Sequence, residues 1–412
     1  MAGPRVQRWR LLYLFLFILC FPITIPLSVS LIVPLLAADA LARRLSLATY
    51  SRPPPLTQFR ERLKSGLYAL RWLLQAVDFV PTMLYALKLV IWDVFDLRSG
   101  MRERRHISNV PVDIYLATPT ASDKEKSCPI VVFIHDGNYG PIVCRKWMMA
   151  PIACKLQRIG CTVIMPEVDP TKKEDMEVII RNLKLVLAWT NTHAAEIHGD
   201  ADEIYVMGHG FGAYLALLLS VQMAAVRSRN DYQLHNPDYQ TSQDHDDGLA
   251  AHHHEVVLPN GLMEARIYAP DVSSVTIKGL ILIAPISDTQ KHLEWEATQG
   301  VSYLSPMRQI LGRSCLFHSP AHLLFAARSI LNVQYLPSKL LVLHGAQDMV
   351  VRSSQSDMLE ELLMGAGLQT VQKRLYPKLD HMALLKGIED DGVANKSSVV
   401  LDDVIGFMTS SD

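Results

Sequence analysis

The chain has 412 residues, of which 49% are apolar and 20% charged, with a formal net charge of −1. That length exceeds an ordinary single domain and falls short of two large ones, and the apolar fraction supports a large buried core with some excess for a membrane. The near-neutral balance argues against a nucleic-acid partner, because phosphate binding needs a basic surface.

Residues 11–38 carry no charge and lie between Arg5, Arg8 and Arg10 on one side and Arg43 and Arg44 on the other. As a straight helix this run would reach roughly 42 Å against about 30 Å of hydrocarbon, enough for one tilted span and too little for two. Pro22, Pro26 and Pro34 interrupt it, which a single straight helix would not favour. With both flanks basic, the positive-inside rule gives no clean orientation. Residues 1–45 are expected to form a membrane anchor, either a single span or a re-entrant hairpin. A cleaved signal peptide stays open on the A-x-A pattern of Ala38-Asp39-Ala40, although the apolar region is long for one.

A basic, proline-broken stretch follows, and then two aromatic-rich apolar runs at residues 67–74 and 85–92. Arg71, Asp78, Lys88 and Asp93 make these poor spanning helices. Residues 46–105 are expected to hold amphipathic juxtamembrane helices with aromatics and cations at headgroup level. The alternative is a cap packed on the globular domain.

From about Val110 the pattern becomes short apolar runs separated by helical stretches. Strands are predicted at Val112–Ala117, Ile130–Ile134, Cys161–Met165, Glu203–Met207, Leu280–Ala284, Leu340–Leu343 and Val371–Tyr376. Helices are predicted at Lys146–Arg158, Glu174–Thr190, Gly212–Ala225, Ser354–Met364 and Val399–Met408. Continuous apolar strands alternating with helices indicate an α/β domain over residues 106–412, a mostly parallel sheet covered on both faces. Near residues 226–258 the composition turns polar, with Asp244-His245-Asp246-Asp247 and His252-His253-His254. Too little apolar surface is present there to fold alone, so a disordered insertion is expected. No metal is expected, since three adjacent histidines in a loop cannot all face one tetrahedral ion. The six cysteines (20, 128, 144, 154, 161 and 315) show no CxxC spacing, which favours a reduced, cytosol-facing compartment.

The segment Val206-Met207-Gly208-His209-Gly210-Phe211-Gly212-Ala213 carries the most information. It has the form of the G-x-S-x-G nucleophile elbow, a sharp strand-to-helix turn whose flanking glycines let it close. Gly210 stands at the nucleophile position and has no side chain with which to attack. Nucleophile, acid and histidine follow in that order in such folds. Asp348, after the strand ending at Leu343, and His381, after the strand ending at Tyr376, occupy the acid and base places. The early strand is followed by His135-Asp136-Gly137, where backbone N–H groups would stabilise an oxyanion. Phe211 would supply the second donor. Cys144, in the loop after that segment, is a weak substitute nucleophile, because nothing nearby marks a lowered thiol pKa.

On these residues the chain from about Pro111 to Met408 resembles the esterase/lipase-like α/β-hydrolases, most closely the branch of isoprenylcysteine methylesterases and kynurenine formamidases. The resemblance is carried by VDIYLATP (112–119), HDGNYG (135–140), GHGFGAYLA (208–216), GLILIAPISD (279–288), the SP-x-HLL run of 319–324, LHGAQDMVV (343–351) and LDHM (379–382). It implies an α/β-hydrolase fold and hydrolysis of carboxylic esters or formamides without a cofactor. It also implies Asp348 as acid, His381 as base, and Asp136, Gly137 and Phe211 as oxyanion donors. The chain departs from that family at Gly210, where the serine is missing, and at Asp136, where a glycine is usual. Two functional readings follow. One is a membrane-anchored protein that has lost serine-hydrolase activity and binds an apolar or acyl ligand or a partner. The other is an active hydrolase of lipid-like or prenyl-type esters working by an altered mechanism. Membrane lipid is the expected partner, in the endoplasmic reticulum or a related endomembrane with the domain facing the cytosol.

Overall fold

The computed structural model describes residues 59–77, 80–94, 102–117, 128–135, 146–168, 175–235, 253–257, 264–268, 275–302, 305–389 and 398–410. The expected anchor at residues 1–45 lies outside these, as do Asp136, Gly137 and Cys144.

The strands are β1 (Glu103–Ile107), β2 (Val110–Tyr115), β3 (Cys128–Ile134), β4 (Thr162–Pro166), β5 (Gly199–His209), β6 (His253–Val257), β7 (Glu264–Tyr268), β8 (Gly279–Ile283), β9 (Lys339–Gly345) and β10 (Val371–Tyr376). The helices are α1 (Phe59–Val77), α2 (Val80–Val94), α3 (Ala150–Arg158), α4 (Met176–Thr192), α5 (Phe211–His235), α6 (Thr289–Thr298), α7 (Pro306–Leu311), α8 (Pro320–Ala327), α9 (Ser354–Gly365), α10 (His381–Glu389) and α11 (Val399–Thr409). One eight-stranded sheet runs in the order β1-β2-β4-β3-β5-β8-β9-β10. From β4 to β10 all neighbours are parallel, and β1 and β2 add an antiparallel edge.

Successive strand residues point to opposite faces, and here both faces are buried. In β3, Val132 and Ile134 join the core shared with α4, α5, α8 and α9, whereas Val131 and Phe133 join the core shared with α2, α3, α10 and α11. Val206 against Met207, Leu282 against Ile283, and Val342 against Leu343 divide in the same way. That is the physical reason these strands read as unbroken apolar runs.

Every predicted strand is present, with ends shifted by a few residues. The charged edge strand β1 was not predicted, because its sequence ERRHI has no apolar alternation; its burial alternates all the same. Two elements correct the expected polar insertion. α5 continues through Val226, Ser228 and Arg229, all buried, to His235, and residues 253–257 pair with 264–268 as an antiparallel hairpin. Buried contacts hold this hairpin, since Gln222 of α5 donates to the Arg266 carbonyl at 2.9 Å and accepts from the Tyr268 N–H at 3.0 Å. Polar composition alone does not reveal such docking. α5 is long and apolar enough to cross a membrane, but 94% of that stretch is buried inside the protein, which makes it the central core helix.

α1 and α2 pack on the globular domain. Leu89 of α2 is buried in the core shared with α3, and the Arg158 guanidinium donates to the Tyr85 hydroxyl at 2.9 Å. Of residues 46–105, the described helices α1 and α2 thus contact the domain.

Candidate active site

The site forms at the carboxyl ends of β5 and β9. β5 passes through His209 into a one-residue turn at Gly210, and Phe211 opens α5. Close approach of backbone dictates the flanking glycines. A Cβ on Gly212 would lie 2.0 Å from the Ile134 carbonyl oxygen, and one on Gly208 would lie 2.4 Å from the Gly212 oxygen. Gly210 itself has φ +54°, in the left-handed region. Its N–H donates to the Ile283 carbonyl of β8 at 2.9 Å, and its carbonyl accepts the Tyr214 N–H at 3.0 Å as the first helical bond of α5. The elbow is thus fully built around a residue without a side chain.

The acid arm starts at the end of β9. His344 and Gly345 close the strand, and Asp348 lies in the following turn with its side chain wholly buried. Its Oδ1 accepts the N–H groups of Val350 at 2.7 Å and Val351 at 2.8 Å. Its Oδ2 accepts from His381 Nδ1 at 2.7 Å and lies 3.5 Å from His344 Nε2. Burial by itself would raise this carboxyl. The nearby His381 and the hydrogen bonds from His344 and His381 outweigh burial and hold it well below the ordinary carboxylate range. The tautomer of His344 follows from its partners: Nε2 faces the Val351 carbonyl at 3.0 Å and so carries the proton, leaving Nδ1 to accept from the Ser356 hydroxyl at 2.7 Å.

His381 is the first residue of α10 and is 3% exposed. Asp380 fixes this start, its Oδ1 accepting the N–H groups of Met382 at 3.0 Å and Ala383 at 2.9 Å, as a helix cap does. His209 reaches across from the elbow, donating from Nε2 to the His381 carbonyl at 3.0 Å, with the two rings 4.3 Å apart. Elbow, acid and histidine therefore converge. In such an arrangement the carboxylate holds Nδ1–H, and proton exchange with a nucleophile would run through Nε2. Phe211 is buried in the first turn of α5, where backbone donors point out of the helix.

The segment expected to hold Asp136 and Gly137 lies outside the described residues, but both of its ends are anchored. His135 is buried at the end of β3. Beyond it, Lys146 is 7% exposed, with its ammonium 3.2 Å from Asp113 and 3.4 Å from Glu167. Arg102 and Arg104 complete the charge balance around Asp113, at 3.3 Å and 3.2 Å.

An apolar wall stands beside the acid turn. Tyr68 of α1 donates its hydroxyl to the Met349 carbonyl at 2.9 Å and meets Trp295 edge-on, the ring centroids 6.3 Å apart. Buried Val301 completes this small cluster. Burial, and then the negative charges of Glu296 and Asp348, push the Tyr68 hydroxyl far above its ordinary pKa, so it acts only as a neutral donor. Sequence reading assigned no role to His209, His344, Asp380 or Tyr68. The first three lie inside the quoted motifs and could have been found there. Tyr68 has no local signal, since its partner is far away in the sequence. Among the described residues, no group of three or more His, Cys, Asp or Glu side chains converges as a metal site.

The family model described as BD-FAE matches residues 112–363, a stretch that includes the elbow and Asp348 and ends before His381. Among solved structures, the chain is similar to inhibited esterase B from Lactobacillus rhamnosis, at 13% identity and a TM-score of 0.51, covering 80% of this chain and 94% of that one. It is also similar to a truncated carbohydrate esterase from gut microbiota, at 16% identity and a TM-score of 0.50, covering 76% of this chain and 97% of that one. At these identities the likeness shows the fold. No curated protein matches the chain.

Proposed function

The chain belongs to the BD-FAE family and has its esterase-like α/β-hydrolase fold, and from that premise we propose that this member is a membrane-anchored protein acting by ligand or partner binding, without serine-hydrolase turnover. One observation carries the reading: Gly210 occupies the elbow between β5 and α5. Loss of a triad serine lowers turnover by roughly six orders of magnitude, leaving about 10³–10⁴ over water from oxyanion contacts and binding. The φ of +54° at this position costs a non-glycine residue about 1–3 kcal/mol, so glycine relieves strain that only a working nucleophile would justify. The uncharged residues 11–38 support anchoring, and the absence of CxxC spacing supports a cytosol-facing endomembrane. Within the wider family, the branch of prenylcysteine methylesterases and kynurenine formamidases remains our closest assignment, on the motifs GHGFGAYLA, LHGAQDMVV and LDHM.

A second reading rests on the Asp348–His381 contact of 2.7 Å. It is a carboxylic-ester hydrolase in which His381 activates a water in the space a serine side chain would fill. One assay separates the two. The purified full chain in detergent is tested on short-chain p-nitrophenyl esters beside His381→Ala, Gly210→Ser and Gly210→Ser/His381→Ala. We expect a silent wild type, activity in Gly210→Ser, and its loss when His381 is also removed. Turnover by the wild type that disappears in His381→Ala would overturn the first reading and support the second.

A further inference from the structure

The outward faces of α1 and α2 have a composition of their own. Their exposed described residues are Arg60, Lys64, Leu67 and Arg71 on α1, and Val80, Leu84, Leu87, Lys88 and Ile91 on α2. Cations and large aliphatics are the only types among them. Positions 60, 64, 67 and 71 repeat at i, i+4, i+7 and i+11, as do 80, 84, 87 and 91, so each set forms one narrow stripe along its helix. The α2 stripe is wholly aliphatic, with Leu84 63% exposed and Leu87 46%. The opposite side of the same helix is also apolar and already in use, because Ala86 and Leu89 are buried against the domain. A helix that is apolar on its free side as well as its packed side has a second contact to make.

We propose that these stripes form a membrane-docking face. Val80, Leu84, Leu87 and Ile91 enter the boundary between headgroups and acyl chains of an anionic leaflet, and Arg60, Lys64, Arg71 and Lys88 meet the headgroups. A stripe of exposed aliphatics flanked by exposed cations favours a bilayer as the occupant, because it matches both the acyl boundary and the headgroups. Cations beside an interfacial apolar stripe add electrostatic attraction to acidic lipid. Position in the chain agrees: the uncharged residues 11–38 lie upstream of α1, and the intervening residues 39–58 extend at most roughly 70 Å even when fully stretched. A chain anchored by the first segment therefore holds the stripe close to the same surface, at high effective concentration. Docking would also orient the candidate site, because α1 grips the acid turn through Tyr68 and Met349 and α2 covers residues 146–149 and α3. The proposal is independent of whether that site hydrolyses anything.

The test places the photocrosslinker p-benzoylphenylalanine at position 84, 87 or 234 of the full chain, reconstituted in phosphatidylcholine vesicles with and without phosphatidylserine. Leu234 is 77% exposed at the far end of α5 and serves as the control. Positions 84 and 87 should add phospholipid mass on irradiation, several-fold more with phosphatidylserine present, and position 234 should add none. Leu67 carries the reporter for a second comparison, in which Leu84→Glu/Leu87→Glu should lower the lipid adduct about tenfold. These exposed positions leave the core untouched, and an unchanged melting curve for that variant verifies this. Crosslinks from 84 and 87 to a second copy, to the chain's own residues 1–58, or to nothing overturn the proposal.

Discussion

Asp348→Asn tests what the buried pair of Asp348 and His381 contributes beside Gly210. The carboxylate receives two backbone N–H groups on Oδ1 and faces His381 and His344 on Oδ2. Asparagine keeps an acceptor for Val350 and Val351 but sets an amide against the His381 Nδ1–H, whereas His344 Nε2–H still has the Val351 carbonyl. A buried donor left without an acceptor costs about 1–3 kcal/mol. A shift of the His381 proton to Nε2 recovers part of that, so the net loss is about 2 kcal/mol. For a domain spanning residues 106–412 that corresponds to a fall in Tm of roughly 3 °C. The pH dependence gives a second readout. The folded Asp348 carboxyl lies below its unfolded value, so its stabilisation is complete above about pH 5 and is lost as pH falls through the unfolded carboxylate value near 4 and below. Thermal unfolding of the full chain in non-ionic detergent, followed by circular dichroism at pH 7 and at stepwise lower pH, measures both effects. The variant should melt earlier at pH 7 and converge on the wild type in acid. If it melts within about 1 °C of wild type, or keeps the full acid sensitivity, the network is not a source of stability and a catalytic explanation gains weight.

Two further outcomes follow from the same geometry. Gly212→Ala puts a Cβ 2.0 Å from the Ile134 oxygen, where only backbone can yield. We expect the elbow to separate from β3 and the Tm to fall by more than in Asp348→Asn, and a variant that melts like wild type would contradict the close approach. Tyr68→Phe removes one hydroxyl from the Met349 carbonyl at a cost of about 1 kcal/mol; the expected sign is faster limited proteolysis between α1 and α2 with little change in global melting. Unchanged cleavage would mean that Tyr68 does not hold α1 to the acid turn.

The α/β architecture was legible because burial on both sheet faces leaves a trace in every residue of a strand. In β8, Leu280 and Leu282 face one core while Ile281 and Ile283 face the other, so the whole segment must be apolar. The contact between Asp348 and His381 was foreseeable for a related reason: both residues follow strand ends, those of β9 and β10, which chain order locates. The hairpin of β6 and β7 and the continuation of α5 were not legible, because their stability comes from partners such as Gln222 and Arg266, which local composition does not encode.

By itself, the sequence determined that a tight glycine-flanked turn joins a strand to a helix and that its central residue, Gly210, has no side chain. Both follow from residue identity: glycines permit the turn, and a missing side chain is missing in any conformation. Only the tertiary structure decided which nitrogen of His381 meets Asp348, that His344 and His209 buttress that pair, and that α1 bears on the acid turn. Those depend on distances between segments far apart in the chain, such as the 2.9 Å from Tyr68 to the Met349 carbonyl. Such contacts arise when the sheet and its helices pack together, and no local pattern of residues specifies them.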